Sequence, residues 1–279
     1  MEASNTPELH APALSVIHLS VHYETERGKV IAVEDVSFEV NQGEKLILLG
    51  PSGCGKSTLL KTIAGFVPPT TGQMLVNGQP VVGPGPDRVV VFQEFDQLLP
   101  WKTVLGNVEY PLRVTGKVPK SEVRARAMEF IRLVRLEKFH DAYPHTLSGG
   151  MKQRTAIARS LALEPVILLM DEPFGSLDAQ TRNRLQYELN ELWTRTGITI
   201  VFVTHSIEEA VTLGQRIVVM TPHPGRVKKV LTNEAALAPE LAAKRLLELR
   251  EEIWSLLQGD DAENGVSLNL PPSGTSMVE

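Results

Sequence analysis

A chain of 279 residues with 42% hydrophobic and 22% charged side chains has ordinary globular usage and the length of a large α/β domain, which excludes wholesale disorder and a fibrous repeat. Its net charge of -5, from 33 acidic against 28 basic residues, argues against a duplex-DNA binder that works by neutralising phosphates. A single cysteine, Cys54, allows no internal disulfide, the first 15 residues hold no apolar signal region, and runs such as VILLM at 166–170 fall far short of a bilayer span, so the expected setting is the cytoplasm with membrane contact made through a partner.

After a polar leader expected over 1–12, residues 13–24 and 30–41 alternate apolar and polar side chains, and Asn77-Gly78 within MLVNGQPV is a hairpin signal. These predict an antiparallel sheet. From Gly43 the strand signals lose alternation: KLILL, RVVVF, VILLM, ITIVFV and RIVVM read as strands buried on both faces of a parallel sheet. Between about 94 and 164 the pattern is helical, with Val123, Ala127, Phe130, Ile131 and Val134 on one stripe, and this predicts a helical subdomain inserted between two strands. Leu185, Leu189 and Leu192 mark a helix from near Asp178 to Gly197, and Ser206 with Glu209 predicts a capping box. A last amphipathic helix is expected over 239–257 within an extension spanning 233–258, followed by a tail over 259–279.

Three motifs carry chemistry. Gly50-Pro51-Ser52-Gly53-Cys54-Gly55-Lys56-Ser57-Thr58 fits G-x-x-x-x-G-K-[ST] between a strand and an apolar helix, the context of a phosphate-binding loop. Glycines let backbone N–H groups close on phosphates at a helix N-terminus, Lys56 neutralises the β- and γ-phosphates, and Ser57 offers a hydroxyl to Mg²⁺. In VILLMDEP a buried strand ends in Asp171, assigned to the metal, and Glu172, assigned as the base that activates water. Leu147-Ser148-Gly149-Gly150-Met151 opens a third helix and makes a second anion site.

With this third motif the chain resembles the ATP-binding cassette family, over roughly residues 14–232. The resemblance implies a P-loop NTPase core, with an antiparallel β subdomain and a helical subdomain, that hydrolyses ATP with Mg²⁺. It implies that Tyr23 stacks on adenine, that Gln93 is the Q-loop glutamine, catalytic and a ligand to the metal, that Ser176-Leu177-Asp178 is the D-loop with Asp178 at the nucleotide, and that His205 is the catalytic switch histidine sensing the γ-phosphate. Met151 stands where the family's commonest residue is glutamine, leaving Ser148 and Gly150 in place. It further implies a head-to-tail homodimer in which each signature closes on ATP held by the other chain's P-loop.

Within the family, FQEFDQLLPWKTVLGNVEYPL followed by LSGGM and DEPFGSLDA looks most like the nitrate, sulfonate, taurine and bicarbonate importers. That implies separate transmembrane permease subunits, an extracytoplasmic solute-binding protein, a peripheral place on the cytoplasmic face of the membrane, and no nucleic acid. Leu98, Leu99 and Trp101 beside Pro100 are expected to form the exposed apolar contact for the permease. The alternative reading, a soluble cassette ATPase acting on nucleic acid or ribosomes, fits poorly with one cassette, no long heptad insertion and a negative net charge; a P-loop kinase or GTPase would lack LSGGM and the switch histidine.

Overall fold

The computed structural model describes residues 11–26, 28–93, 97–233 and 242–264, with side chains over 244–258 of the last stretch. The N-terminal sheet is antiparallel, built from β1 (Leu14–Thr25), β2 (Gly28–Val40), β4 (Thr71–Val76) and β5 (Gln79–Pro80) in the order β2-β1-β4-β5. Asn77 and Gly78 form the β4–β5 turn, with φ of 48° and 73° that suit Asn and Gly.

The second sheet runs β10-β9-β3-β8-β7-β6, from β3 (Lys45–Leu49), β6 (Arg88–Val91), β7 (Ile167–Asp171), β8 (Thr199–Thr204), β9 (Arg216–Met220) and β10 (Val227–Thr232). All neighbours are parallel except β10 against β9. The continuous apolar runs follow from coverage on both faces. On β3, Ile47 and Leu49 point into one core with Phe202 and Met170, while Leu46 and Leu48 point into another with Val201 and Leu169. The first core is filled from helices α2 to α7; the second is closed by α1 (Lys56–Ile63) and the antiparallel sheet.

Between β6 and β7 lie α2 (Val104–Thr115), α3 (Val123–Leu133) and α4 (Gly149–Leu161), and Val123, Ala127 and Ile131 are buried as the stripe requires. Downstream come α5 (Ala179–Thr196), capped by Asp178 and stopped by Gly197 at φ 62°, then α6 (Ile207–Leu213) and α7 (Ala242–Asn264). Residues 259–264, expected in the tail, are therefore helical; the leader over 1–10, Pro239 and residues 265–279 lie outside the described residues. α7 is held on α6 and β10 by the buried Ile253 and by ion pairs Arg250–Glu208 at 3.1 Å and Lys229–Glu252 at 2.6 Å.

The capping box forms by half. Ser206 Oγ accepts the Glu209 N–H at 3.3 Å, but the Glu209 carboxylate turns inward, taking Thr204 Oγ1–H at 2.5 Å and Gln186 Nε2–H at 3.2 Å. The Ser206 N–H instead donates to Thr204 Oγ1 at 3.0 Å. Buried oxygens with nearby donors outcompete a solvent-facing cap.

Candidate nucleotide-binding site

The register of the parallel sheet sets three strand ends side by side, with Leu49 paired to Thr204 and Asp171 to Val203. The chain leaves β3 into the glycine-rich loop, β7 into Asp171-Glu172 and β8 into His205, so three distant motifs meet at the carboxyl edge of one sheet.

Lys56 is almost wholly buried, and its ammonium donates to the carbonyls of Gly50 at 2.8 Å and Pro51 at 2.9 Å. The loop thereby holds a cation inside its own curve. Gly55 has φ 96°, and a Cβ there would stand 2.4 Å from the Ala32 carbonyl oxygen, so only glycine lets β2 and the loop come this close. Gly53 is also left-handed at φ 79°, Ser52 and Gly53 are exposed at the loop tip, and Thr58 lies in the first turn of α1. Cys54 is buried at 1% exposure against Gly50, and burial pushes its thiol above the ordinary cysteine range, against the opposing pull of Lys56. Its sulfur fills the space behind Gly50.

Ser57 Oγ donates to Asp171 Oδ1 at 2.8 Å. Burial raises the Asp171 carboxyl above the usual carboxylate range, with the Ser57 hydrogen bond opposing the rise and neighbouring Glu172 adding to it. A hydroxyl and a carboxylate in contact, beside a loop shaped for phosphates, are the oxygen donors a Mg²⁺ that retains waters and phosphate ligands accepts. Among the described residues no cluster of three or more acidic, His or Cys side chains could by itself cage a metal.

Glu172 sits at φ 43°, a left-handed backbone that costs a non-glycine residue roughly 1–2 kcal/mol. Two hydrogen bonds fix it, its N–H to the Val203 carbonyl at 3.0 Å and its carbonyl to the Gly175 N–H at 3.0 Å. The twist turns the carboxylate to His205, whose Nδ1 lies 2.9 Å from Glu172 Oε2. Gln93 lies against the same turn, its Nε2 2.9 Å from where a Cβ on Gly175 would be.

The other expected residues lie apart from these. Tyr23 is exposed on β1 opposite Val30, two residues from the Ala32 that touches Gly55. Ser148 is exposed and caps α4, accepting the Met151 N–H at 3.4 Å; Gly149 follows it in the first turn, and Gly150 is buried facing Thr181. Asp178 caps α5 through the Thr181 N–H at 2.9 Å, which holds its carboxyl below the usual range. Among the described residues no hydrogen bond or ion pair joins Ser148 or Asp178 to the phosphate-binding loop.

Sequence reasoning missed what lies beneath. Gly225, in the β9–β10 turn, backs the loop so closely that a Cβ would stand 2.0 Å from the Cys54 carbonyl oxygen. Thr204, Glu209 and Gln186 pin the start of α6 just past His205. Asn107, fully buried, donates to the carbonyls of Leu99, Lys102 and Thr103 and accepts the Leu99 N–H at 2.8 Å, shaping the turn around Trp101. That turn also corrects an expectation: Leu98 is core at 3% exposure and Leu99 is half-buried, while Trp101 alone stands out at 70%. Leu98 packs with Val104 and Val108, so local burial wins there.

A family described as ABC transporter matches residues 33–175, the stretch from β2 through the glycine-rich loop to the turn after Glu172. The chain belongs to the ABC transporter family. It is 46% identical over 259 residues to the taurine import ATP-binding protein TauB of Rhizobium johnstonii, covering 89% of this chain and 97% of that one. It is 42% identical over 259 residues to the nitrate import ATP-binding protein NrtD of Synechocystis sp., covering 90% and 97%. Among solved structures, the dimeric post-hydrolysis state of the ATP-binding cassette MJ0796 bound to ADP and Pi superposes with a TM-score of 0.68 at 33% identity, covering 79% of this chain and 98% of that one. The protein is accordingly an ATP-binding cassette ATPase with a P-loop NTPase fold. Among its described residues no helix is long and apolar enough to cross a membrane.

Proposed function

We propose that the protein is the ATP-hydrolysing subunit of an importer for small anions of the nitrate, sulfonate, taurine or bicarbonate class, working as a homodimer on the cytoplasmic face of the membrane beneath separate permease subunits fed by a solute-binding protein. The observation that carries the chemistry is the Glu172–His205 contact at 2.9 Å beside a lysine-bearing phosphate loop. Likeness to the taurine and nitrate import subunits supports the transport class.

In this reading Lys56 and the loop N–H groups bind the β- and γ-phosphates, with Tyr23 against the adenine. Glu172 accepts a proton from the attacking water, His205 orients that carboxylate and meets the γ-phosphate, and Gln93 reports on the same spot. Ser57 and Asp171 would hold Mg²⁺, which when bound supplies positive charge to the phosphate oxygens. Among the described residues no hydrogen bond or ion pair joins Ser148, which heads the anion site with Gly149 and Gly150, to the phosphate loop, and this supports a second chain supplying the phosphate. Asp178 caps α5 at Thr181, whose methyl lies beside Gly150, and would serve the same nucleotide. Trp101, at 70% exposure on a turn stapled by Asn107, is the apolar residue offered to the permease.

The experiment is to isolate the chain with the membrane proteins that accompany it and measure ATP hydrolysis in proteoliposomes while a loaded solute-binding protein is offered with nitrate, bicarbonate, taurine or an alkanesulfonate. One of these anions is expected to stimulate hydrolysis and accumulate. Hydrolysis indifferent to every one, with no membrane chain retained, would sink the importer reading.

A further inference from the structure

A cavity of about 620 Å³ lies away from the nucleotide site, at the opposite edge of the parallel sheet. It is bounded by Val166 just ahead of β7, Thr199 opening β8, the C-terminal end of α5 and one face of α3. Its size is that of small-molecule sites. The floor is apolar, with Phe130 and Leu133 half-buried on α3 and Ile198 half-buried across from them.

Three arginines, Arg126, Arg132 and Arg195, line it against two glutamates, Glu129 and Glu164, so its charge is positive. Arg126 spends its guanidinium on Glu129 and Glu164 and lies over the Phe130 ring at 5.0 Å from the centroid. Arg132 and Arg195 also line the cavity, and among the described residues neither guanidinium has a hydrogen-bond or ion-pair partner. Two free guanidiniums over an apolar floor recognise a ligand with an anionic head and an apolar body, because a guanidinium pairs with a carboxylate or sulfonate at two points while the floor shelters the rest.

We infer that the cavity between α3 and the end of α5 binds a small organic anion with an aromatic or aliphatic body, its acid group on Arg132 and Arg195 and its body on Phe130 and Leu133. α3 belongs to the helical insertion and α5 to the sheet domain, so the ligand would bridge the two. This inference is independent of the transported substrate.

The test uses the full chain saturated with ADP and titrated with 1-anilinonaphthalene-8-sulfonate. One saturable site is expected, displaced by octane-1-sulfonate and not by octan-1-ol. Arg132→Gln with Arg195→Gln should weaken binding at least about tenfold, the loss of two charge-assisted contacts, with an unchanged melting temperature because both side chains are exposed. The paired Lys variants should retain most of it. Binding unmoved by removing both charges, or displacement by the alcohol as good as by the sulfonate, would overturn the inference.

Discussion

Gly225→Ala tests whether the β9–β10 turn sets the shape of the phosphate loop. The glycine is pinned to β2, its N–H donating to Ala32 O at 3.1 Å and its carbonyl accepting the Glu34 N–H at 2.9 Å, so it has little room to retreat. A methyl there would stand 2.0 Å from Cys54 O and 3.2 Å from Cys54 C, against backbone rather than a flexible side chain. Relief to ordinary contact needs a shift of roughly 1 Å, and the side that can yield is the loop holding Cys54, Gly55 and Lys56. Overpacking of this kind costs about 1–3 kcal/mol, a fall of several degrees in Tm for a chain of this size. A misplacement of about 1 Å in a catalytic frame costs roughly 10²-fold in rate. The assay is kcat/KM for ATP hydrolysis, together with fluorescent ATP-analogue affinity and thermal melting. Turnover and affinity within about twofold of wild type would refute the idea that Gly225 supports the loop, whatever happens to Tm.

Glu172→Gln keeps the shape of the side chain and removes the proposed base, so ATP binding should persist while turnover falls by about 10² or more, read by equilibrium binding and phosphate release. Asp171→Asn should lower hydrolysis but hold or raise Tm at pH 7, because the buried carboxylate, its pKa raised by burial, is costly to ionise there and an amide still accepts the Ser57 hydrogen bond at 2.8 Å; a marked drop in Tm would contradict this. Lys45 is buried, donates to Asn190 Oδ1 at 2.5 Å, lies 4.1 Å over the Trp193 ring, and has its pKa lowered by burial to about 8. Because its unfolded value is higher, the penalty for its charge is full below pH 8 and fades as pH rises from 8 towards the unfolded value. The Tm of Lys45→Met relative to wild type should therefore be greatest near pH 7 and decline towards pH 10, as melting across that range will reveal.

The parallel strands were readable because burial on both faces leaves apolar runs, and RIVVM matches β9 residue for residue. The site's covalent neighbours were equally readable: the glycine loop, Asp171-Glu172 and His205 each follow a strand. That Asp171 and Glu172 serve the phosphate loop was legible from the motif pair, while the place of His205 was legible only through family resemblance, since no local signal says that β8 lies between β3 and β7. What escaped depends on packing. Glu209 sits at the capping-box spacing, yet buried Thr204 and Gln186 claim its carboxylate. Leu98 and Trp101 are three residues apart in one apolar run, and the fold buries one and exposes the other. Gly225 carries no motif at all; its need for a bare Cα arises from a loop more than a hundred residues upstream.

In the proposed function ATP joins two copies of this chain, with Ser148 of one closing on nucleotide held by Lys56 of the other. Light scattering of Glu172→Gln with ATP measures this most directly. A mass near twice that of the chain is expected with ATP, reverting to that of a single chain when Ser148→Arg is added although nucleotide remains bound. A single-chain mass with ATP bound, or a dimer unaffected by Ser148→Arg, would contradict the composite site.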